Sequence, residues 1–161
     1  MTERTAYEVL QASPLARELN EEEIRVLAGL IEIHDLKDAE VLLEEGRRDS
    51  TLHVVVAGAI NVAKHGEDGR WNTLHTLTHG DLVGELSFMD DEPRSASLVA
   101  SGQTRVFSLR REQLETLLDT HPRIVYRTMR AIMRVVHGIQ RRLTMQMVQL
   151  QNYIYKTHGR Y

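Results

Sequence analysis

The spacing of apolar residues divides the chain into three regions, and the first of them, up to about residue 36, is predicted to be helical. Pro14 is placed to open a turn, and Asn20 precedes an acidic run that suits the first turn of a helix. The apolar residues that follow at helical spacing are Ile24, Leu27, Leu30 and Ile31. We expect this region to form a short helical cap on the elements that follow.

From about residue 38 to residue 109, short apolar segments alternate with turn residues. Gly46, Gly58 and Gly80 close three of these segments, and the charged run around Gly66–Gly69 predicts a hairpin. Many short strands without a long helix between them indicate an antiparallel roll or barrel. We predict an α+β fold, in which a jelly-roll-like antiparallel β-roll of about eight strands carries N-terminal helices and a long C-terminal helix.

The third region is predicted to be helical and to be interrupted at Pro122, after which one helix runs from Arg123 to about Tyr155. Its apolar residues recur in alternating steps of four and three, the spacing of a seam that packs on a second helix. The seam consists of Val125, Met129, Ile132, Val136, Ile139 and Leu143. Its continuation reaches the polar Gln146, which indicates a stutter there. We predict a homodimer through this helix, with packing on its own domain as the alternative.

Charge follows the same division of the chain. The net charge is −3, but residues 123–161 contain eight Lys or Arg and no Asp or Glu, whereas residues 1–122 contain 12 basic and 23 acidic residues. Such an asymmetry suggests two functional units or two halves that attract each other. We predict a β-roll with its helical cap over residues 1–122, and a dimerisation helix with a short tail over residues 123–161.

Composition argues against several kinds of chemistry. The chain has no cysteine, which excludes disulfides, thiolate zinc sites, iron–sulfur clusters and thiol nucleophiles. It has no His-x-His pair for a metal site on a strand, and His75 and His79 would lie about 13 Å apart on one. Ser87, Ser95 and Ser97 lack a base at a recognisable spacing. We therefore predict no catalytic residue and no metal site, and a protein that is not an enzyme.

Neither a membrane nor a nucleic acid is an expected partner. No apolar run approaches the roughly 18 residues that span a bilayer, and the first ten residues lack the apolar core of a signal peptide, so we predict a cytoplasmic protein. A basic stripe on the long helix could follow a phosphate backbone, but a dimer helix needs a charged outer face and acidic partners are available upstream. The stripe consists of Arg127, Arg130, Arg134, His137 and Arg141. Only about ten residues follow Asn152, so we do not expect a helix-turn-helix there.

Candidate chemistry is concentrated in residues 80–97, GDLVGELSFMDDEPRSAS. A helical turn that begins at Gly84 would leave backbone N–H groups free for an anion, and glycine lets a ligand approach the backbone closely. Arg94 could hold a phosphate through a two-pronged contact, and Glu85 is suited to accept from a sugar hydroxyl. The alternative is purely structural: Glu85 complements the helix dipole, and neighbouring carboxylates neutralise Arg94. The combination favours a ligand with one phosphate and one ribose hydroxyl.

Gly84-Glu85-Leu86, the nine-residue step from Glu85 to Arg94, Pro93 before that arginine and Ser95-Ala96 after it resemble the phosphate-binding cassette of the cyclic-nucleotide-binding domain family. The resemblance covers about residues 15–150. It implies that Glu85 accepts from the ribose 2′-hydroxyl and that Arg94 pairs with the exocyclic phosphate oxygens, while neighbouring backbone and hydroxyl groups donate. The ligand-binding residues implied are Gly84, Glu85, Leu86, Ser87, Arg94, Ser95 and Ala96.

The resemblance also implies a function. We expect a stand-alone module that binds cAMP or cGMP, needs no other cofactor, and signals to an unknown downstream protein through a shift of its C-terminal helix. The alternative is an effector-free dimerisation or scaffold module of the same fold. Family members usually complete the base site from the C-terminal helix, but Ile139-Gln140 differs from the Thr-Ser pair of the catabolite activator protein. The identity of the base therefore stays open.

Overall fold

A small helical cap opens the described part of the chain, which is residues 5–158 of a computed structural model. It comprises α1 (Ala6–Gln11), a 3₁₀ turn (Pro14–Ala16) and α2 (Glu21–Ala28). Both α-helices begin with a capping box, in which the cap residue and the residue three positions later exchange hydrogen bonds. Asn20 forms this box with Glu23, as its position before the acidic run predicts.

The predicted helical region is wrong at its end. Helix α2 stops at Ala28, and β1 (Glu32–Leu36) pairs antiparallel with the late strand β6 (Ser97–Arg110). Five consecutive residue pairs join the two strands, from Glu32 opposite Ser108 to Leu36 opposite Thr104. The partner strand lies some 70 residues further along the chain, so helical spacing near Ile31 is overridden by a pairing that no local pattern contains.

The sheet confirms the predicted β-roll fold. In the described residues β1 is followed by β2 (Val41–Leu43), β3 (Thr51–His65), β4 (Trp71–Leu77), β5 (Leu82–Val83) and β6. The order across the sheet is β1-β6-β3-β4, with β2 on β6 and β5 on β3, and every pairing is antiparallel. The long strands β3 and β6 each cross a glycine with positive φ, Gly58 and Gly102. Counting the two halves of each gives eight segments, in line with the predicted number.

Three helices complete the structure: α3 (Glu85–Asp90), α4 (Arg111–Glu115) and α5 (Pro122–His158). The larger apolar core joins the cap, one half of the roll, α3, α4 and the beginning of α5, and a smaller core fills the other half of the roll. In the larger core Leu27, Phe88, Phe107 and Ile132 are fully buried. In residues 5–158, no helix is long and apolar enough to cross a membrane.

Helix α5 changes environment along its length. Ile124, Ala131 and Ile132 are buried against the chain's own roll and cap, whereas every residue from 141 to 157 is exposed. The first turns of the predicted seam therefore pack as the alternative interpretation expected, on the same chain. The division at residue 122 and the homodimer stay predictions, and we expect an intermolecular seam mainly in the exposed residues 141–157, the projecting half of α5.

Candidate functional site

The candidate site is built around Gly84, which caps α3 in the left-handed conformation with φ 85°. A Cβ at this position would overlap the guanidinium of Arg94, so a glycine is needed both for the backbone conformation and for the close approach. The first bond within α3 runs from the N–H of Phe88 to the carbonyl of Gly84. The N–H groups of the preceding residues have no partner within the helix and face the start of the turn.

Arg94 is held in the interior with only 6% of its surface exposed. One guanidinium nitrogen, Nη2, donates to the carbonyl of Thr51 and lies 3.8 Å from a carboxylate oxygen of Asp49. Its Nε has no hydrogen-bond partner among the described residues. Burial lowers the pKa of Arg94, while the carboxylates of Asp49 and Glu85 oppose this shift. A buried arginine stays charged, so the site presents a partly compensated cation that suits an anionic ligand.

The acidic run beside Arg94 is directed elsewhere. The carboxylate of Asp91 lies 2.6 Å from Arg111 at the start of α4, and that of Asp90 accepts from the backbone N–H of Glu92. Arg94 therefore has Asp49, from a distant loop, as its nearest carboxylate partner. The structural alternative predicted that the carboxylates next to Arg94 in the sequence would neutralise it, and the structure shows that they bond to other groups.

All seven residues assigned to the site from the sequence line one cavity, with an empty volume of about 520 Å³ that opens to solvent. Gly84 caps α3, Glu85, Leu86 and Ser87 are its first three residues, and Arg94, Ser95 and Ala96 lie between α3 and β6. The role of each as a ligand contact stays a prediction. Sequence reasoning missed the three apolar walls, Val62, Val83 and Leu98, because alternation on a strand does not reveal which residues face a ligand.

A second and larger cavity, of about 1290 Å³, lies between the roll and α5. Val62, Val83 and Glu85 line both cavities, so the two adjoin along the wall that these three residues form. The remaining wall on the roll side consists of His75, Leu77, Asp81 and Leu82. The wall on the α5 side consists of Val135, Ile139, Arg142, Leu143 and Gln146. Of the pair considered from the sequence, Ile139 lines this cavity, and Gln140 lines a groove on another side of α5.

His53, which sequence reasoning did not single out, is buried on β3 near Arg94. Its Nδ1 lies 2.6 Å from the hydroxyl of Ser108, while its Nε2 is buried without a partner among the described residues. Burial foremost, and then the positive charge of Arg94, lower the pKa of His53 to about 4. The imidazole is therefore neutral near pH 7 and adds no second positive charge near Arg94.

Three members of the basic stripe on α5 form ion pairs with the cap. Arg127 lies 2.7 Å from Glu23, and Arg130 and Arg134 lie 3.4 and 2.9 Å from Glu18. The side chains of both glutamates are largely buried, so these ion pairs join the cap to the first turns of α5. The three arginines are thus already paired with carboxylates and are less available to contact the phosphates of a nucleic acid. In residues 5–158, no group of three or more His, Cys, Asp or Glu is placed to hold a metal ion.

The chain belongs to the cyclic nucleotide-binding domain family, whose model matches residues 33–121, more than half of the chain. It is 24% identical over 127 residues to a CRP-like cAMP-activated global transcriptional regulator of Mycobacterium tuberculosis, covering 79% of this chain and 57% of the regulator. It is 25% identical over 125 residues to a cAMP-dependent protein kinase regulatory subunit of Dictyostelium discoideum, covering 76% of this chain and 38% of the subunit. The match therefore spans 57% of the length of the first relative and 38% of the length of the second.

A solved structure supports the same fold. The crystal structure of a cyclic nucleotide-binding domain from Methylobacillus flagellatus superimposes with a TM-score of 0.78 at 24% sequence identity, covering 89% of this chain and 83% of the other. At this level of identity the likeness supports the architecture, and the chemistry of the site rests on the residues described above.

Proposed function

We propose that this chain is a regulatory module that binds a cyclic nucleotide, cAMP or cGMP, in the two joined cavities. The observation that carries the proposal is the convergence of all seven cassette residues on one cavity that continues, through Glu85, into the cavity beneath α5. The phosphate would lie beside Arg94 and the start of α3, and the ribose 2′-hydroxyl would donate to Glu85. The base would enter the larger cavity, between the roll and α5.

The named relatives support a regulatory role. They are named as a cAMP-activated transcriptional regulator and as a regulatory subunit of a cAMP-dependent protein kinase. We propose accordingly that this chain is not itself a catalyst and that its site holds an effector. Its cytoplasmic location stays a prediction from the sequence.

In the proposed mechanism, the bound nucleotide changes the balance between positions of α5. The phosphate compensates the charge of Arg94, and the base contacts the α5 side of the larger cavity. A position of α5 that contacts the base gains stability from the ligand, so its population rises. The projecting half of α5 would carry this shift to a second copy of the chain and to a downstream protein of unknown identity.

A second candidate function is a scaffold that needs no effector. The specific observation in its favour is that Arg94 already donates to the carbonyl of Thr51 and lies near Asp49, so the fold partly satisfies this cation by itself. A scaffold would keep these contacts and bind no nucleotide. The two candidates therefore differ in a quantity that a titration measures directly.

Calorimetric titration with cAMP, cGMP and cyclic di-GMP tests the proposal. We expect one of the first two to bind, and we expect Arg94→Ala to weaken that binding by about 2 to 4 kcal/mol because a buried charge-assisted contact is lost. Arg94→Lys should recover only part of the loss, since lysine cannot make the two-pronged contact. Arg47→Ala removes the same charge from an exposed position outside the cavity and is the matched control. Unchanged affinity in a folded Arg94→Ala protein would contradict the assignment.

A further inference from the structure

In residues 5–158, two buried side-chain nitrogens have no hydrogen-bond partner: Nε2 of His53 and Nε of Arg94. The two residues are only 5% and 6% exposed. Unpartnered polar atoms in a protein interior are rare, because each loses its hydration without a compensating bond. Arg94 lines the cavity at the start of α3, so a group that pairs with its Nε would affect the site without touching the ligand.

The register of the roll places His53 near Arg94. His53 lies opposite Val83 in the pairing of β3 with β5. The next residue, Gly84, leaves the space that the guanidinium of Arg94 occupies. On β3 itself, the carbonyl that accepts from Arg94 belongs to Thr51, two residues before His53, and side chains two apart on a strand share a face. The positive charge of Arg94 lowers the pKa of His53, in agreement with this proximity.

The bond to Ser108 indicates which nitrogen of His53 can accept. Nδ1 lies 2.6 Å from the Ser108 hydroxyl, and burial lowers the pKa of His53 to about 4, so the imidazole is neutral near pH 7. A neutral imidazole donates from one nitrogen and accepts at the other, whereas a guanidinium only donates. The proton therefore belongs on Nδ1, which donates it to Ser108, and the lone pair belongs on Nε2, where it suits Arg94.

We propose that His53 is a positioning residue for the phosphate contact, in which Nε2 accepts from the Nε–H of Arg94 and orients the guanidinium toward the cavity. The inference rests on the proposed function and adds a residue that neither lines the cavity nor belongs to the cassette. Nη2 of Arg94 already donates to the carbonyl of Thr51. Nη1 and Nη2 carry two hydrogens each, so both keep one for a two-pronged contact with a phosphate.

The contact between His53 and Arg94 is completed by a shift of the arginine side chain or by one bridging water molecule, since the two nitrogens are not bonded in the structure. Both routes require an acceptor at the position of Nε2. Without that acceptor the Nε–H stays buried and unpaired, and the guanidinium is free to turn away from the ligand. A displaced guanidinium loses the alignment on which the charge-assisted contact depends.

Calorimetric titration of the full chain with cAMP and cGMP tests the role of His53 through two variants. Glutamine places its terminal amide near the position of Nε2, and asparagine places its amide near that of Nδ1. We expect His53→Asn to weaken nucleotide binding about 10-fold and His53→Gln to retain most of the affinity, although only the first can still bond to Ser108. Thermal denaturation of both variants shows whether affinity follows stability, as a merely structural role would require.

A double-mutant cycle with Arg94 gives a second readout. In an Arg94→Ala background, His53→Asn should have no further effect on affinity, because the group that His53 positions is gone. His65→Asn is the matched control, since His65 is exposed at the other end of β3 and lies outside both cavities. The control should bind with wild-type affinity.

NMR spectra of the imidazole nitrogens measure the tautomer of His53 without a nucleotide. Nε2 should be unprotonated, and its resonance should change in Arg94→Ala because the donor that faces it is removed. A protonated Nε2 near pH 7 would overturn the inference.

The outcomes separate this inference from the proposed function. Binding that depends on Arg94 but is equal in wild type, His53→Asn and His53→Gln would overturn the role of His53 alone. Losses of affinity that follow the loss of stability in both variants would also overturn it. Failure of the wild type to bind either nucleotide would overturn the proposed function and this inference together.

Discussion

Gly84 and Arg94 form a pair in which each residue limits the other. The guanidinium occupies the space that a side chain at residue 84 would need, and the glycine adopts a backbone conformation that other residues rarely take. Residues 90–93 are exposed, whereas Arg94, which follows them directly, is buried. Its guanidinium fits there because Gly84 has no side chain. The cavity at the start of α3 is thus shaped by the absence of a side chain at Gly84 and by the burial of Arg94.

His53 predicts a pH dependence of stability. Its pKa is lowered from 6.5 to about 4 in the folded chain, so the unfolded state takes up a proton between these values and the folded state does not. His53 therefore costs no stability above pH 6.5, where it is neutral in both states. The free energy of unfolding falls by about 3 kcal/mol as the pH drops from 6.5 to 4. Asp49 opposes the shift, while Arg94 and His34 add to it.

Denaturant unfolding of wild type and His53→Gln between pH 7 and pH 4 measures this contribution. His53→Gln should lose less stability than the wild type between pH 7 and pH 4, because it removes the imidazole that has to stay neutral in the folded state. His75→Gln is the control, since His75 is exposed on β4. Parallel curves for wild type and His53→Gln would show that other groups cause the acid dependence.

At the scale of elements, α3 is joined to α4 and α5 by two kinds of contact. Phe88 of α3 is fully buried in the core that contains Leu114 of α4 and Ile124 of α5. Arg111, the first residue of α4, lies 2.6 Å from Asp91 at the end of α3 and donates to the carbonyl of Phe88 at 3.4 Å. The cassette helix is therefore in direct contact with the elements that lead into α5.

Packing of the first turns of α5 predicts the effect of a charge at Ile132. This side chain is fully buried in the chain's own core, so Ile132→Asp should destabilise the fold by several kcal/mol through burial of a carboxylate. Met133→Asp introduces the same charge at the next, exposed position and should change stability little. Thermal denaturation distinguishes the two, and equal stability of both variants would contradict the observed packing.

At the scale of the whole molecule, the projecting half of α5 leaves a large apolar surface uncovered. Its exposed apolar residues are Leu143, Met145, Met147, Val148, Leu150, Tyr153, Ile154 and Tyr155. A helix with so many exposed apolar side chains is typical of an interaction surface. The predicted homodimer would bury this surface against its copy without disturbing the roll.

Leu150→Asp tests the homodimer, because Leu150 is exposed and lies outside both cavities. We expect light scattering to give a dimer for the wild type and a monomer for the variant, since a carboxylate would be buried against its counterpart. The melting behaviour of the roll should be retained. Gln149→Asp, on the same turn, adds the charge without removing an apolar side chain. A wild-type chain that is monomeric at high micromolar concentration would contradict the prediction.

The sequence by itself determined the features that depend on near neighbours along the chain. The capping box at Asn20, the helix that begins at Pro122 and the turn at Gly84 each follow from residues a few positions apart. The composition of the cassette belongs to the same class, because its seven residues lie between 84 and 96 and are recognised by their spacing. Local conformation and spacing carry this information.

Only the tertiary structure decided what depends on residues far apart. Strand β1 exists because β6 pairs with it, and Ile132 is buried because the cap and roll cover one face of α5. Thr51 at the start of β3 and Asp49 just before it contact Arg94, and residues of α5 form one wall of the larger cavity. The physical reason is that strand pairing, burial and cavity walls arise from contacts between distant segments, and their free energies override local preferences that sequence patterns express.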